Sequence, residues 1–302
     1  DEKMAFTGSK KSKIIEVPQS PLAAHVSARA SERIRYIWQS SSFRESIEVF
    51  EEQRNAYVDQ CNVTLRHPGL MKRLAAEHFD AAYGEFMDNC GFGIFEAIGI
   101  KRTAVVMSVG NLEFLFSYTG APATTSYVPG FFGNAGDKMN FRQRLRNSLP
   151  LLIYKYIGPF FMPRDKMDDV IQTFNSSIPS VQDLLGRASL WFLNAEPLTD
   201  FPRPTVHKII DVGGISMSSG HKQLNQTWSS LLSLRKKNVL ISFGSVAHSN
   251  LMPEAYKETI RNLARRMPSV TFIWKYEEPE DGVAAGVDNL VPVTWLPQND
   301  ML

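Results

Sequence analysis

At 302 residues the chain is long enough for two domains of ordinary size. An apolar share of 43% and a charged share of 21% belong to a globular protein and exclude a disordered one. A net charge of +2, with no basic stripe interleaved with aromatics, argues neither for a nucleic-acid surface nor for an acidic partner, and no nucleic-acid partner is expected.

The two cysteines, Cys61 and Cys90, are too few for a disulfide scaffold and lack metal-ligand spacing. They read either as two buried thiols or as one disulfide. Asn62, Asn175 and Asn225 each open an Asn-x-Ser/Thr acceptor sequence, a weak signal in a chain of this length. No apolar run is long enough to span a bilayer. The nearest, Leu149 to Met162, is broken by Lys155, Gly158 and Pro159 and reads as a buried helix.

In chain order, residues 1–12 are polar and lysine-rich, and Lys13 to Val17 reads as a short strand stopped by Pro18. Residues 31–65 carry a helical pattern: Ile34, Ile37 and Trp38, then Ile47, Phe50, Val58 and Cys61. A short helix follows over 69–78. Asp80 to Glu85 reads as a strand, Cys90 to Ile98 as a helix and Lys101 to Ser108 as a buried strand. Strand, helix and strand with short connections make a parallel βαβ unit. Residues 109–140 are rich in Gly, Pro, Ser and Thr and read as a long irregular stretch, a length that usually carries function. Helices are expected over 140–155, 165–174 and 181–188, and strands over 190–193 and 209–212. Prolines 202 and 204 hold the segment between those strands extended.

Met217 to Asn225 is polar and marks the domain boundary. The expected division is an N-terminal domain over 1–216, a linker and lead-in helix over 217–235, and a C-terminal domain over 236–302. The last contains strands at 239–243, 270–276 and 290–295. Its helix, 254–267, places Tyr256, Ile260, Leu263, Ala264 and Met267 on one face. The closing residues, Gln298 to Leu302, read as the start of another helix, so the chain is expected to be a piece of a longer protein.

Several short patterns carry chemistry. Gly91-Phe92-Gly93 follows a strand and opens a helix, the place of a dinucleotide fingerprint. Glu96 stands where the third glycine would be, and its carboxylate would repel a pyrophosphate. This disfavours a nicotinamide oxidoreductase. The glycines are expected to let the helix pack closely on its sheet. Glu85 ends a strand, where a carboxylate can orient a histidine, while Asp88 suits helix capping near Cys90. The six histidines show neither metal spacing nor an assignable partner. Gly244-Ser245 follows a buried strand, where backbone amides and a hydroxyl can meet a phosphate. Trp295 and Gln298 follow another, where an indole can stack on a base and an amide can bind ribose hydroxyls. Both features fall at the carboxyl ends of parallel strands, the ligand-binding edge of open α/β sheets.

Together these segments resemble the UDP-glycosyltransferase family of animals, with wording similar to nematode members. The resemblance runs over nearly the whole chain. It is carried by Phe79-Asp80 through Cys90-Gly91, Tyr127-Val128-Pro129, Asp137 to Phe141 with Arg144, and Phe201-Pro202-Arg203-Pro204 with Val212-Gly213-Gly214. It ends on Ser242-Phe243-Gly244-Ser245 and Trp295-Leu296-Pro297-Gln298-Asn299-Asp300. It implies an α/β fold of GT-B type, two Rossmann-like domains with parallel sheets, the second truncated here. It also implies inverting, metal-free transfer of glucuronate or glucose from a UDP-sugar to a hydroxyl of a small lipophilic acceptor. No separate cofactor is implied, the UDP-sugar being a co-substrate.

Carried over by position, Glu85 is the partner of a catalytic histidine, Gly244 and Ser245 face the diphosphate, and Trp295 and Gln298 contact the uridine. Cys61 and Cys90 match two cysteine positions of the family, which implies a disulfide between them. The resemblance further implies a parent held at the lumenal side of the endoplasmic reticulum membrane by a C-terminal helix outside this sequence, and it allows a homo-oligomer. The catalytic-histidine strand and the second half of the donor signature are absent from these 302 residues, so this stretch alone is expected not to turn over. The alternative is a truncated product that binds an apolar ligand or a partner subunit without catalysis.

Overall fold

The structure is a computed structural model that describes residues 11–29, 38, 43–110, 116–130, 135–156, 165–215, 217 and 223–302. It divides into two compact units. The first comprises Asp1–Ala24 and Gln53–Gly213, the second His25–Glu52 and Gly214–Leu302.

The chain starts with helices α1 (Pro21–Ala28), α2 (Phe43–Leu65) and α3 (Leu70–Ala76). The first unit then builds a sheet of four strands: β1 (Ala82–Glu85), β2 (Thr103–Met107), β3 (Leu190–Leu193) and β4 (Ile209–Asp211). They lie in the order β1-β2-β3-β4, and every pair is parallel. Helices α4 (Cys90–Ala97), α5 (Phe116–Thr119), α6 (Phe141–Tyr156), α7 (Lys166–Phe174) and α8 (Val181–Arg187) fill the connections. Side-chain caps fix two of their starts. Asp165 accepts the N–H of Met167 before α7, and Ser180 accepts the N–H of Asp183 before α8.

The core of this unit joins Val105 and Met107 of β2, Trp191 and Leu193 of β3, Phe92 of α4, Ile171 of α7 and Leu185 of α8. A disulfide between Cys61 on α2 and Cys90 at the start of α4, with Cα atoms 5.7 Å apart, ties the long helix to this core. Asp88 accepts the N–H of Cys90 at 3.3 Å, the capping role expected of it. Burial holds the Asp88 carboxyl above its usual range, and the Cys90 N–H offsets part of that rise.

The second unit's sheet has the order β5-β6-β7, again parallel: β5 (Lys237–Ile241), β6 (Val270–Lys275) and β7 (Leu290–Val293). Every residue of the central strand β6 is buried, which is why its sequence is nearly continuously apolar. Helix α9 (Gln226–Leu232), capped by the Asn225 side chain, leads into the sheet, and α10 (Glu254–Arg266) connects β5 to β6. Val270, Phe272, Trp274 and Tyr276 pack with Ala264, Met252, Val287 and Leu290. The last helix, α11, covers Gln298–Met301.

Some expectations give way. Lys13 to Val17 forms no strand, because no sheet edge receives it; Lys13 instead pairs with Glu77 at 3.0 Å. On α2, Phe50 is exposed, and the inward residues are Ala56, Cys61 and Leu65. Ile34 and Ile37 lie outside the described residues. The long stretch 109–140 contains a short helix, α5. On α10 only Ala264 of the expected apolar face is fully buried, while Tyr256, Leu263 and Met267 are exposed. Gly93 admits a neighbouring helix rather than the sheet: a Cβ there would stand 2.6 Å from Ile171 Cδ1 of α7. The stretch from Leu149 is not buried either. Leu149, Leu152, Ile153 and Tyr156 are exposed, and residues 157–162 lie outside the described residues.

Candidate functional site

In the second unit, β6 lies between β5 and β7 and sets their relative height. Ile241 pairs with Trp274, and Trp274 pairs with Pro292. Gly244 and Trp295 are therefore each three residues past the same row of the sheet, at its carboxyl edge. Two strand spacings, about 10 Å, separate the strands that deliver them.

The β5 loop turns at Gly244, whose φ of 79° is in the left-handed region that glycine adopts without cost. Its N–H donates to Ser242 Oγ at 3.4 Å. Ser245 is exposed, and its carbonyl lies 3.1 Å from a ring nitrogen of His248. The Trp38 indole donates to the His248 carbonyl at 2.8 Å and meets the Phe243 ring edge-on at 5.0 Å between centroids.

Behind this loop the chain is pinned to the end of β6. Buried Ser249 donates its hydroxyl to the Lys275 carbonyl at 2.9 Å. The Asn250 N–H donates to Glu277 at 3.2 Å, and Lys275 pairs with Glu277 at 2.8 Å. Burial opposes the charge on Glu277, but the hydrogen bonds from Lys275 and the Asn250 N–H outweigh it and hold its carboxyl below the usual range. Lys257 donates to the Asn250 carbonyl and to the Tyr276 hydroxyl, both at 2.8 Å. Tyr276 in turn donates to Asp281 at 2.6 Å. Burial and that carboxylate hold the Tyr276 proton in place well above the ordinary range.

After β7, Leu296 is buried and anchors the turn while its neighbour Trp295 is 70% exposed. Pro297 follows, and the Gln298 N–H donates to the Leu296 carbonyl at 2.9 Å. An indole projecting from an anchored, proline-stiffened turn offers a flat apolar face to a planar ring.

In the first unit, Glu85 ends the edge strand β1, paired with Val106 of β2. Its carboxylate accepts the N–H of Ser108 at 3.2 Å. Asn194, just past β3, donates to the Ser108 carbonyl at 3.0 Å. Ser108 is thus held from both sides at the carboxyl edge of this sheet. Beside it Phe86, Tyr118 and Trp191 pack ring on ring, with centroids 5.8 to 6.1 Å apart. Sequence reasoning singled out Glu85 but missed Asn194, Trp38 and His248. Asn194 had a readable signal, being the first polar residue after a buried parallel strand. Trp38 had none, since its partner is 210 positions away. Among the described residues no group of three or more His, Cys, Asp or Glu side chains could hold a metal ion.

Two Rossmann-like units with parallel sheets make this an α/β protein of the GT-B fold class. A solved structure described as the glycotransferase of kitacinnamycin shares the fold with a TM-score of 0.50 and 12% identity, over 86% of this chain and 57% of that one. The profile of the family described as UDP-glucoronosyl and UDP-glucosyl transferase matches residues 3–302, and the chain belongs to that family.

Among its relatives is the putative UDP-glucuronosyltransferase ugt-56 of Caenorhabditis elegans, 28% identical over 88% of this chain and 51% of that protein. UDP-glucuronosyltransferase 3A1 of Bos taurus is 32% identical over 80% of this chain and 46% of that protein. Human 2-hydroxyacylsphingosine 1-beta-galactosyltransferase is 31% identical over 85% of this chain and 46% of that protein. The chain spans about half the length of these curated relatives.

Proposed function

We propose that this chain contributes the uridine and diphosphate contacts of a UDP-sugar site, in a protein that transfers a hexose to a hydroxyl of a small lipophilic acceptor. For these 302 residues the proposal is nucleotide binding; sugar transfer is proposed for the whole protein. The observation that carries the reading is that the Gly244 loop and the Trp295 turn follow two strands paired in register to β6, at one carboxyl edge.

On this reading the exposed Trp295 indole stacks on uracil and Gln298 binds the ribose hydroxyls. The backbone N–H groups around Gly244 and the Ser245 hydroxyl meet the diphosphate, whose negative charge grows as the sugar leaves. The polar cluster of Lys257, Asn250, Lys275 and Glu277 keeps the Gly244 loop in place for that contact. Glu85 orients a histidine that takes the acceptor's proton and stabilises the imidazolium that results. The reaction needs no metal, because backbone dipoles meet the leaving group. The parent acts at the lumenal side of the endoplasmic reticulum membrane, a compartment with which the Cys61–Cys90 disulfide is consistent.

Isothermal titration of the 302-residue chain with UDP tests the reading. Trp295→Ala is expected to weaken binding about ten- to a hundredfold, the worth of one base–aromatic stack. UDP affinity unchanged by Trp295→Ala would overturn the assignment of the uracil contact. In the whole protein, Glu85→Ala should lower kcat by roughly 10².

A further inference from the structure

The chain leaves its sheet abruptly after β5. The β5–β6 ladder closes at Ile241 and Trp274, and residues 243–246 are all exposed. Most hydrogen bonds of this loop stay local. The Gly244 N–H reaches Ser242 Oγ at 3.4 Å, the His248 N–H reaches the Val246 carbonyl at 3.1 Å, and a His248 ring nitrogen meets the Ser245 carbonyl at 3.1 Å. Bonds of that span set the curl of a loop, not its place on the protein. The polar cluster around Asn250 and Glu277 holds the chain only from Ser249 onward.

A side chain from the start of the sequence supplies the missing tie. Trp38 grips the loop on both sides of Gly244 and Ser245. Ahead of them its ring meets the Phe243 ring edge-on, with 5.0 Å between centroids and 83° between planes. Beyond them its indole N–H donates to the His248 carbonyl at 2.8 Å. Trp38 also packs against the core of the second unit, to which it belongs, so the grip is anchored. Among the described residues, no other ring contact or hydrogen bond reaches residues 243–248 from outside 242–251. The His248 carbonyl also accepts the Leu251 N–H at 3.3 Å, so it keeps a partner when the indole is removed.

We propose, on the reading of Gly244 and Ser245 as the diphosphate contacts, that Trp38 is a positioning residue for the diphosphate. It clasps the loop at both ends and holds the amides and the Ser245 hydroxyl where phosphate oxygens meet them. A loop freed at one end presents those groups for only part of the time, and the apparent affinity falls by that fraction. Uracil and ribose meet Trp295 and Gln298, whose turn is set by Leu296 and Pro297. Trp38 therefore acts on the phosphates and not on the nucleoside.

Titration calorimetry of the 302-residue chain with UDP and with uridine tests this, with amide hydrogen exchange over residues 243–248 as a second readout. Trp38→Phe keeps a ring against Phe243 and removes the N–H. It should weaken UDP roughly fivefold, the scale of one hydrogen bond, leave uridine unchanged and speed exchange in the loop. Phe243→Leu removes the ring contact and leaves the hydrogen bond, and should show the same split. Trp295→Ala should weaken both ligands. If Trp295→Ala weakens UDP and neither Trp38→Phe nor Phe243→Leu does, the role of Trp38 is overturned and the nucleotide site stands. If the chain does not bind UDP, or no variant moves its affinity, the nucleotide site falls and takes the role of Trp38 with it. Equal losses of UDP and uridine in Trp38→Phe, the mark of a merely structural role, also overturn it, as does unchanged exchange in the loop.

Discussion

Lys275 and Glu277, two residues apart at the carboxyl end of β6, form a 2.8 Å ion pair with side chains only 11% and 18% exposed. The pair is sheltered from water, so removing Lys275 leaves the Glu277 charge, among the described residues, with the Asn250 N–H as its remaining hydrogen-bond partner from outside its own residue. Lys275→Met should cost about 2–4 kcal/mol, measured by urea unfolding of the second unit's transition. The pH dependence follows from Glu277, whose folded carboxyl titrates below its ordinary 4.5. Its contribution is present above pH 4.5 and disappears as pH falls through the lower folded value. Glu277→Gln should remove that part of the acid loss while costing stability at pH 7. An acid limb identical to the parent's would refute the role given to Glu277.

Asp88 carries the opposite sign. Burial raises its folded carboxyl above the ordinary 3.8, so its contribution is present below that pH and is lost as pH rises through the folded value. Asp88→Asn keeps an oxygen to accept the Cys90 N–H and removes a charge that the surrounding protein partly desolvates. The variant should be more stable than the parent at pH 7, and the difference should vanish below about pH 4. Paired thermal melts at the two pH values decide it.

The close approach of α4 to α7 at Gly93 gives a packing prediction. Ala is the better helix former by about 0.5–1 kcal/mol. Against this, its methyl would enter the space of Ile171 Cδ1, at 2.6 Å, in a site with no exposure. Overpacking wins, and Gly93→Ala should cost about 1–3 kcal/mol in urea unfolding. Adding Ile171→Val removes the nearest methyl, so the double variant should be less destabilised than the sum of the singles.

The Cys61–Cys90 bridge closes a loop with a sequence separation of 29. Replacing both cysteines by serine should cost about 2–4 kcal/mol, mainly by freeing the unfolded chain. Unfolding with and without reductant measures it, and the double-serine variant should no longer respond to reductant.

Much of the fold was written locally. Largely apolar runs at 103–107, 190–193, 239–241 and 270–275, separated by helical periods, specify parallel strands with crossover helices. Asp165, Ser180 and Asn225 announce three helix starts by their side-chain chemistry. Gly244-Ser245 and Trp295 to Gln298 were legible as strand-end loops for the same reason. Lys13 to Val17 was misread because strand character needs a partner edge, which local sequence does not supply.

The sequence by itself determined an α/β chain with parallel strands, placed the candidate nucleotide residues after β5 and β7, and marked a helix where α6 lies. Only the tertiary structure decided that the loops carrying Gly244 and Trp295 leave one carboxyl edge in register, because β5 and β7 are both paired to β6. It alone decided that Glu85 holds Ser108, 23 residues on, and that Gly93 receives Ile171. It alone turned α6 over. A helical period shows that two faces differ, but which one points inward is set by partners elsewhere in the chain. Here those are the carbonyls of Thr125 and Val128, which take the Asn147 amide and leave Leu145, Leu149 and Leu152 facing out.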